Sequence, residues 1–440
     1  MVQIEGFAGI RYDLGHVGAL SDVIAPPYDV IDEAMRDQLY KQHPANVVRL
    51  ILNRAEPGDA SDDDRYKRAA RYFKQWQREG VLLEEVDPAV YVYHQLFEYE
   101  GQQFTRRGFM GRLRLEPFGE GQVYPHEQTH AAAKADRLRL TQACQANLSQ
   151  IFAIYPDAEN NAQRILETAI EGDTPLEAVD HLGVTHRIWP VMDPLVISEL
   201  QAVMGPQPAY VADGHHRYET ACNYRQYLVA EQGELPSNHP ANGIMSMFVS
   251  MQDAGMIVLP THRLLTGMPA LSSSQLTAAA SACFDLEELA TGPAAADEVW
   301  QQIELEGAQG VLGLYCPADE RWLLARINDQ GREKMAEVAE GQSSEWQGLG
   351  VSILHRLLID TLLAARDLPK PDYVHLVDEV VAGLKQGDSD GRPYGLAALV
   401  MPATLDHIRE ISHQGERMPA KSTYFYPKLL SGLVFHRLDG

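Results

Sequence analysis

The segment from Tyr210 to Glu231 constrains this chain more than any other. Tyr210-Val211-Ala212 has the aromatic and β-branched character of a strand, Asp213-Gly214-His215-His216-Arg217 reads as a tight loop, and Tyr218 to Glu231 reads as a helix. A strand that turns through glycine into a helix brings backbone N–H groups and the positive end of a helix dipole to one point, where an anion is stabilised. Gly214 permits the bend. Arg217, in the first helical turn, offers a bidentate fork to phosphate. Asp213 stands where it can cap the helix, hold a metal or accept a proton. An aspartate cap, a turn glycine and two surface histidines produce the same string with no ligand at all. Packing alone gives no reason for His-His-Arg to gather at one helix start, and a phosphate-binding loop does. A transition-metal site is the weaker alternative, because adjacent residues rarely reach one ion and no His-x-x-His or Glu-x-x-His partner is evident.

At about 150 residues per domain, a chain of 440 residues predicts two to three domains. The expected segments are an N-terminal α/β segment over 1–120, a central domain with the phosphate loop over 121–266, and a C-terminal α/β segment over 267–440 that returns to the cleft. Helical patterns fall at Ser61–Glu79, His130–Ala146, Ser273–Ala282 and Val351–Ala364. Ala89–Tyr99 and Phe104–Leu115 flank a turn at Gly101 and predict a hairpin. Further strands are expected at Gln150–Tyr155, His186–Met192, Val311–Cys316, Trp322–Ile327 and Leu396–Met401. Helices alternate with strands, yet several neighbouring strands form hairpins, so the class is α+β, a mixed α/β fold and not a purely parallel sheet.

The formal charge of −24 repels polyphosphate backbones and argues against a nonspecific nucleic-acid binder. No apolar stretch approaches the ~18–20 residues that span a bilayer, and Met1–Asp13 lacks the basic start of a secretory signal. Cys144, Cys222, Cys283 and Cys316 lie far apart and read as small buried residues of a reducing compartment. The expectation is a cytoplasmic protein that works without membrane or nucleic acid.

Three other segments carry chemistry-bearing residues. Tyr124-Pro125-His126-Glu127-Gln128-Thr129-His130 leads into a helix, and on helical spacing Glu127, His130, Lys134 and Arg137 share one face. That face is an ordinary solvated stripe, but Pro-His-Glu in extended form at a helix entrance also suits residues that touch a substrate. Gly415-Glu416-Arg417-Met418-Pro419-Ala420-Lys421-Ser422 approaches the Walker A spacing, with Ala420 in place of the second glycine and helix before strand instead of strand before helix. It is not a P-loop, although Lys421, Ser422 and Thr423 can still reach a phosphate. Thr261-His262-Arg263, and His43-Pro44-Ala45-Asn46 with Arg49, are weaker polar clusters.

Together these peptides resemble the domain-of-unknown-function family numbered 1015. The resemblance rests on Ala25-Pro26-Pro27-Tyr28-Asp29-Val30, His43-Pro44-x-Asn46, His126-Glu127-x-Thr129 with Lys134-x-Asp136-Arg137, Ala212 to Tyr218, Thr261-His262-Arg263, and Met418-Pro419-x-Lys421-Ser422-Thr423-x-Phe425-x-Pro427-Lys428. The Asp-Gly-His-His-Arg segment in turn looks like the nucleotide-phosphate loop of the ParB/sulfiredoxin-like superfamily, which includes CTP-hydrolysing partition proteins, ATP-using sulfinic-acid reductases and free serine kinases. The resemblance implies a ParB/sulfiredoxin-like nucleotide-binding core with additional N- and C-terminal α/β segments. No cysteine lies between Asp213 and Arg217, which disfavours the reductase branch, and the acid charge disfavours the partition branch.

The free-serine-kinase branch implies a small-molecule kinase that moves a phosphoryl group from ATP or ADP to a hydroxyl of a serine-like amino acid or a polyol. It implies Mg2+ at Asp213 and catalytic roles for Asp213 and Arg217, whereas Glu127 is a catalytic candidate from its position and context alone, with no shared motif behind it. Asp213, Gly214, His215, His216 and Arg217 are implied to hold the nucleotide phosphates; the residues themselves add Lys421, Ser422 and Thr423 to the nucleotide site and place His126, Thr129, His262 and Arg263 toward the substrate. The alternatives are a nucleotide-binding switch or slow hydrolase without a small-molecule acceptor, or a protein whose histidines serve a metal.

Overall fold

The computed structural model describes residues 1–129 and 131–440. Two compact units divide the chain. The first comprises Met1–Pro125, Thr129–Ile257 and Pro427–Gly440, and the second His126–Gln128 and Val258–Tyr426.

The first unit is built on a nine-stranded mixed sheet. Its order runs Val123–Pro125, Ala209–Asp213, Ile151–Tyr155, Gly243–Ser250, Gln102–Arg114, Val90–Tyr99, Thr185–Val191 and Leu176–Val179, with Ile4–Glu5 also paired to Gln102–Arg114. Val123–Pro125 runs parallel to Ala209–Asp213, and Gly243–Ser250 parallel to Ile151–Tyr155, whereas the other pairs are antiparallel. The expected hairpin forms with Tyr99 opposite Gln102, and both turn residues, Glu100 and Gly101, take positive φ.

Alternation along Gln102–Arg114 decides what each face does. Phe109 and Leu113 enter an apolar core with Val92, Ile151, Val211 and Phe248, closed by Leu166 and Leu200 from the helices Asn161–Ala169 and Pro194–Met204. Arg106 and Met110 belong to the opposite phase and are fully buried as well. A small second sheet pairs Gly9–Tyr12 with Leu82–Glu84 and with Phe435–Arg437, which also pairs Ala146–Asn147.

The second unit holds a six-stranded antiparallel sheet in the order Phe284–Thr291, Arg321–Ile327, Val311–Cys316, Leu396–Val400, His262–Leu265 and Asp372–Val374. Both faces are covered, which is why Leu396-Ala397-Ala398-Leu399-Val400 is apolar throughout. Leu396, Ala398 and Val400 pack with Leu276, Met335 and Leu357, while Ala397 and Leu399 pack with Val299 and Val380. Among the described residues, no helix is long and apolar enough to cross a membrane.

Candidate functional site

The strand Ala209–Asp213 lies between Val123–Pro125 and Ile151–Tyr155, and its pairing to the latter shifts register between Val211 and Asp213. Such an irregularity re-aims the side chain that follows it. Asp213 is the last strand residue, Gly214 alone makes the turn at φ 91° and ψ 26°, and the helix runs His215–Gln232. The five-residue loop expected from the sequence is therefore one residue long. A single left-handed glycine suffices to turn strand into helix, so His215, His216 and Arg217 are already helical. His215 is buried, not a surface residue.

The Asp213 carboxylate accepts a hydrogen bond from Lys428 Nζ at 2.6 Å and lies 3.7 Å from Arg217 Nη2. Arg217 also donates to the carbonyl of Gln150 and to Ser149 Oγ, so its guanidinium spans the strand start and the helix start. Lys428 was not among the site residues expected from the sequence; its only signal was its place in the quoted Pro427-Lys428 pair.

What aims Lys428 is a buried arginine. Arg106 has no exposure and faces Gln95 across the hairpin, donating to Gln95 Oε1 from Nε at 3.0 Å and to the carbonyl of Pro427. Gln95 Nε2 in turn donates to the carbonyl of Lys428 at 3.1 Å. Burial pushes the Arg106 pKa down to about 10, leaving it a cation at neutral pH. Buried charge is tolerated where it is hydrogen-bonded, and here two of its partners belong to or grip the backbone that carries Lys428. Thr129 stands apart from this cluster: Thr129 Oγ1 and Lys134 Nζ both donate to Glu219 Oε2, at 2.7 and 2.6 Å.

The remaining expected residues belong to the second unit. His126 is buried, its Nε2 2.9 Å from Thr423 Oγ1, and its carbonyl accepts from the Met418 N–H at 2.8 Å. Glu127 bridges Met418 in extended pairing, and its Oε1 accepts from the Lys421 N–H at 3.0 Å. Lys421 itself takes a left-handed φ of 57°, and Ser422 Oγ donates to the carbonyl of Pro419. The helix expected to unite Glu127 with Lys134 and Arg137 starts at Ala131, after Glu127 has been drawn into the bridge; His130 lies outside the described residues.

Arg263 is fully buried, donates to the carbonyls of Thr261 and Lys421, and is pushed down to about 10 by burial. His262 has no exposure either: its Nδ1 accepts from the Val400 N–H at 3.3 Å and its ring meets Trp300 edge-on. Its position is that of a packed interior histidine. The expected residues thus form two groups. Asp213, Gly214, His215, His216 and Arg217 gather with Lys428 in the first unit, and His126, Glu127, Lys421, Ser422, Thr423 and Arg263 in the second.

A mixed α/β protein with a cation-flanked aspartate at a strand–glycine–helix junction is the class these features define. A family model described as "Protein of unknown function (DUF1015)" matches residues 4–352, and the chain belongs to that family. The curated proteins gave no match. Among solved structures, a free serine kinase in complex with AMP is similar at 10% identity and a TM-score of 0.31, over 69% of this chain and 83% of that one. A conserved hypothetical protein from Pyrococcus furiosus is similar at 11% identity and 0.31, over 70% and 89%. SbnI with C-terminal truncation from Staphylococcus aureus is similar at 8% identity and 0.33, over 73% and 85%. These likenesses are distant and carry no inference about chemistry.

Proposed function

We propose that the Asp213–Arg217 junction holds the phosphates of a nucleotide and that the protein is a small-molecule kinase. The observation that supports it is the gathering of Lys428 Nζ and the Arg217 guanidinium around Asp213 at the start of an 18-residue helix. The helix dipole and two cations favour a bound polyphosphate, and they neutralise charge that builds up as a phosphoryl group moves. In the transfer, the acceptor hydroxyl gives its proton to Asp213, its oxygen forms the new bond to phosphorus, and the bridging P–O bond breaks to release ADP or AMP. The donor is ATP or ADP and the acceptor a small hydroxylated molecule, with L-serine first.

Mg2+ at a nucleotide site is held by one or two carboxylates together with the substrate's phosphates, and Asp213 is the carboxylate that would hold it here, where the ion would neutralise phosphate charge. Among the described residues no three His, Cys, Asp or Glu side chains converge as an all-protein metal site. No step is routed through a metal. A second reading, a nucleotide-binding switch or slow hydrolase, draws on Arg217: its bonds to the Gln150 carbonyl and Ser149 suit a fixed binding loop as well as they suit a phosphoryl clamp.

Phosphorus NMR with ATP or ADP and a pool of hydroxylated metabolites tests the proposal. A new phosphomonoester signal, lost in Asp213→Asn while the protein stays folded, is expected. Free phosphate alone favours the second reading. No product and no nucleotide-dependent thermal shift overturns both.

A further inference from the structure

A cavity of about 40 Å³ lies in the first unit beside Arg217, lined among others by Tyr28, Arg137, Asn147, Ser149, Arg217 and Thr220. At roughly 10–15 Å³ per water-sized probe it has room for about three small polar atoms. Two arginines line it, and among the described residues no aspartate or glutamate does. The Arg137 guanidinium stacks at 4.0 Å from the centre of the Tyr28 ring, which places the aromatic residue of the Pro26-Pro27-Tyr28 motif at the cavity. Arg137 is held by Asp136 and by the carbonyl of Ile51 at 2.8 Å, so its orientation is set before any ligand arrives.

Thr220 supplies an independent observation. It is 2% exposed, lines the cavity from the helix His215–Gln232, and its Oγ1 has no hydrogen-bond partner among the described residues. A buried hydroxyl left unpaired is destabilising, and native proteins rarely keep one without a ligand, water or ion to meet it. Asp136 and Asp213 pair with these arginines from outside the cavity, and with no acid in the lining itself the two guanidinium groups and the orphan hydroxyl suit an anionic oxygen group. The small volume suits a planar carboxylate better than a dianionic tetrahedral phosphate.

We infer that this cavity binds the carboxylate of a small ligand. Resting on the kinase reading above, and on Arg217 being shared with the Asp213 cluster, that ligand is the phosphoryl acceptor. The acceptor class is then hydroxy acids, hydroxy amino acids included, and polyols are excluded.

Isothermal titration of the full chain with L-serine, D-glycerate, glycerol and inorganic phosphate tests the assignment, with nucleotide binding followed separately. L-serine or D-glycerate binds, while glycerol does not and phosphate competes weakly or not at all. Thr220→Val weakens that binding roughly three- to tenfold, the worth of one hydrogen bond. The same variant holds or raises the melting temperature of the unliganded protein, because an unpaired buried hydroxyl has gone. Thr220→Ser, which keeps the hydroxyl, binds within about twofold of wild type. Glycerol binding as tightly as glycerate overturns the carboxylate assignment, and phosphate binding most tightly makes the cavity a phosphate site instead. A Thr220→Val protein that binds normally, or that melts lower without ligand, also overturns the assignment. Nucleotide binding with no carboxylate binding sinks this inference alone; carboxylate binding with no nucleotide binding sinks the kinase reading and leaves the cavity's ligand standing.

Discussion

Replacing Gly214 with alanine probes the junction most directly, because its two penalties can be worked out separately. The first is backbone strain: φ is 91°, and a left-handed backbone costs an L-residue roughly 1–2 kcal/mol. The second is crowding. A Cβ there would sit 2.9 Å from Ile151 Cγ2 and 3.0 and 3.1 Å from the Arg217 Nη2 and Nε atoms. Moving such neighbours typically costs about 1–3 kcal/mol, and the reduced freedom of the unfolded chain returns roughly 0.4–1 kcal/mol. The net expectation is a loss of about 2–3 kcal/mol, or roughly 5–10 °C in melting temperature for a unit of this size. Gly101→Ala is the matched control: φ is 71° there and nothing lies within 4 Å of the added methyl, so only strain remains, about 1 kcal/mol. Calorimetry of both variants isolates the crowding term, and a nucleotide thermal shift run alongside reports the displaced Arg217. If Gly214→Ala costs no more than Gly101→Ala and the nucleotide shift is intact, the packing of Arg217 on the glycine is not what shapes this site.

Three further outcomes are expected. Lys428→Met removes a partly buried partner of Asp213 and should cost about 1–3 kcal/mol, less than the roughly 3–5 of a fully buried pair, with the nucleotide shift abolished; a wild-type shift would remove Lys428 from the site. Burial, helped by Arg263 and His375, pushes His262 down to about 3, so it is neutral when folded and gains a proton only on unfolding below its ordinary pKa near 6.5. Stability contributed this way is complete above that value and falls by about 2 kcal/mol on reaching pH 5; denaturant titrations at pH 7.5 and 5 should show His262→Gln flattening the slope, and an unchanged slope would contradict the assignment. Burial holds the thiols of Cys144, Cys222 and Cys316 up at about 12 and raises that of Cys283. Ellman's reagent at pH 8 should react slowly with the native protein and promptly with four thiols in guanidinium, and a prompt native reaction would show a thiol out of its packed place.

Local signals were legible where one peptide decides its own conformation. The Tyr99–Gln102 hairpin turn, the strand before Asp213 and the helix after it could all be read from neighbouring residues, because turn chemistry and periodicity act within a few positions. The five residues from Asp213 to Arg217 looked like a loop only because polar residues at a helix start and in a turn are the same types; Gly214 does the turning unaided. Arg106 is uninformative in the sequence, because its role depends on the carbonyl of Pro427, 321 residues away. Lys428 likewise acquires its role from a partner 215 residues distant. The three residues His126–Gln128 leave one packed unit for the other without any Gly-, Pro- or Ser-rich linker to announce it, since the bridge of Glu127 to Met418 is a tertiary pairing.

The return of Pro427–Gly440 to the first unit has a consequence for synthesis. Asp213 is added to the chain 215 residues before Lys428, an interval of roughly 10–40 s at about 5–20 residues per second. During it Val258–Tyr426 is made, while Gly9 and Ile10 wait for His436 and Phe435 as their strand partners. The nascent chain therefore carries the junction aspartate through about half of its making, and the buried Arg106 through longer, without the peptide that joins them, so a ribosome stalled anywhere in Val258–Tyr426 exposes an unfinished junction rather than a finished domain.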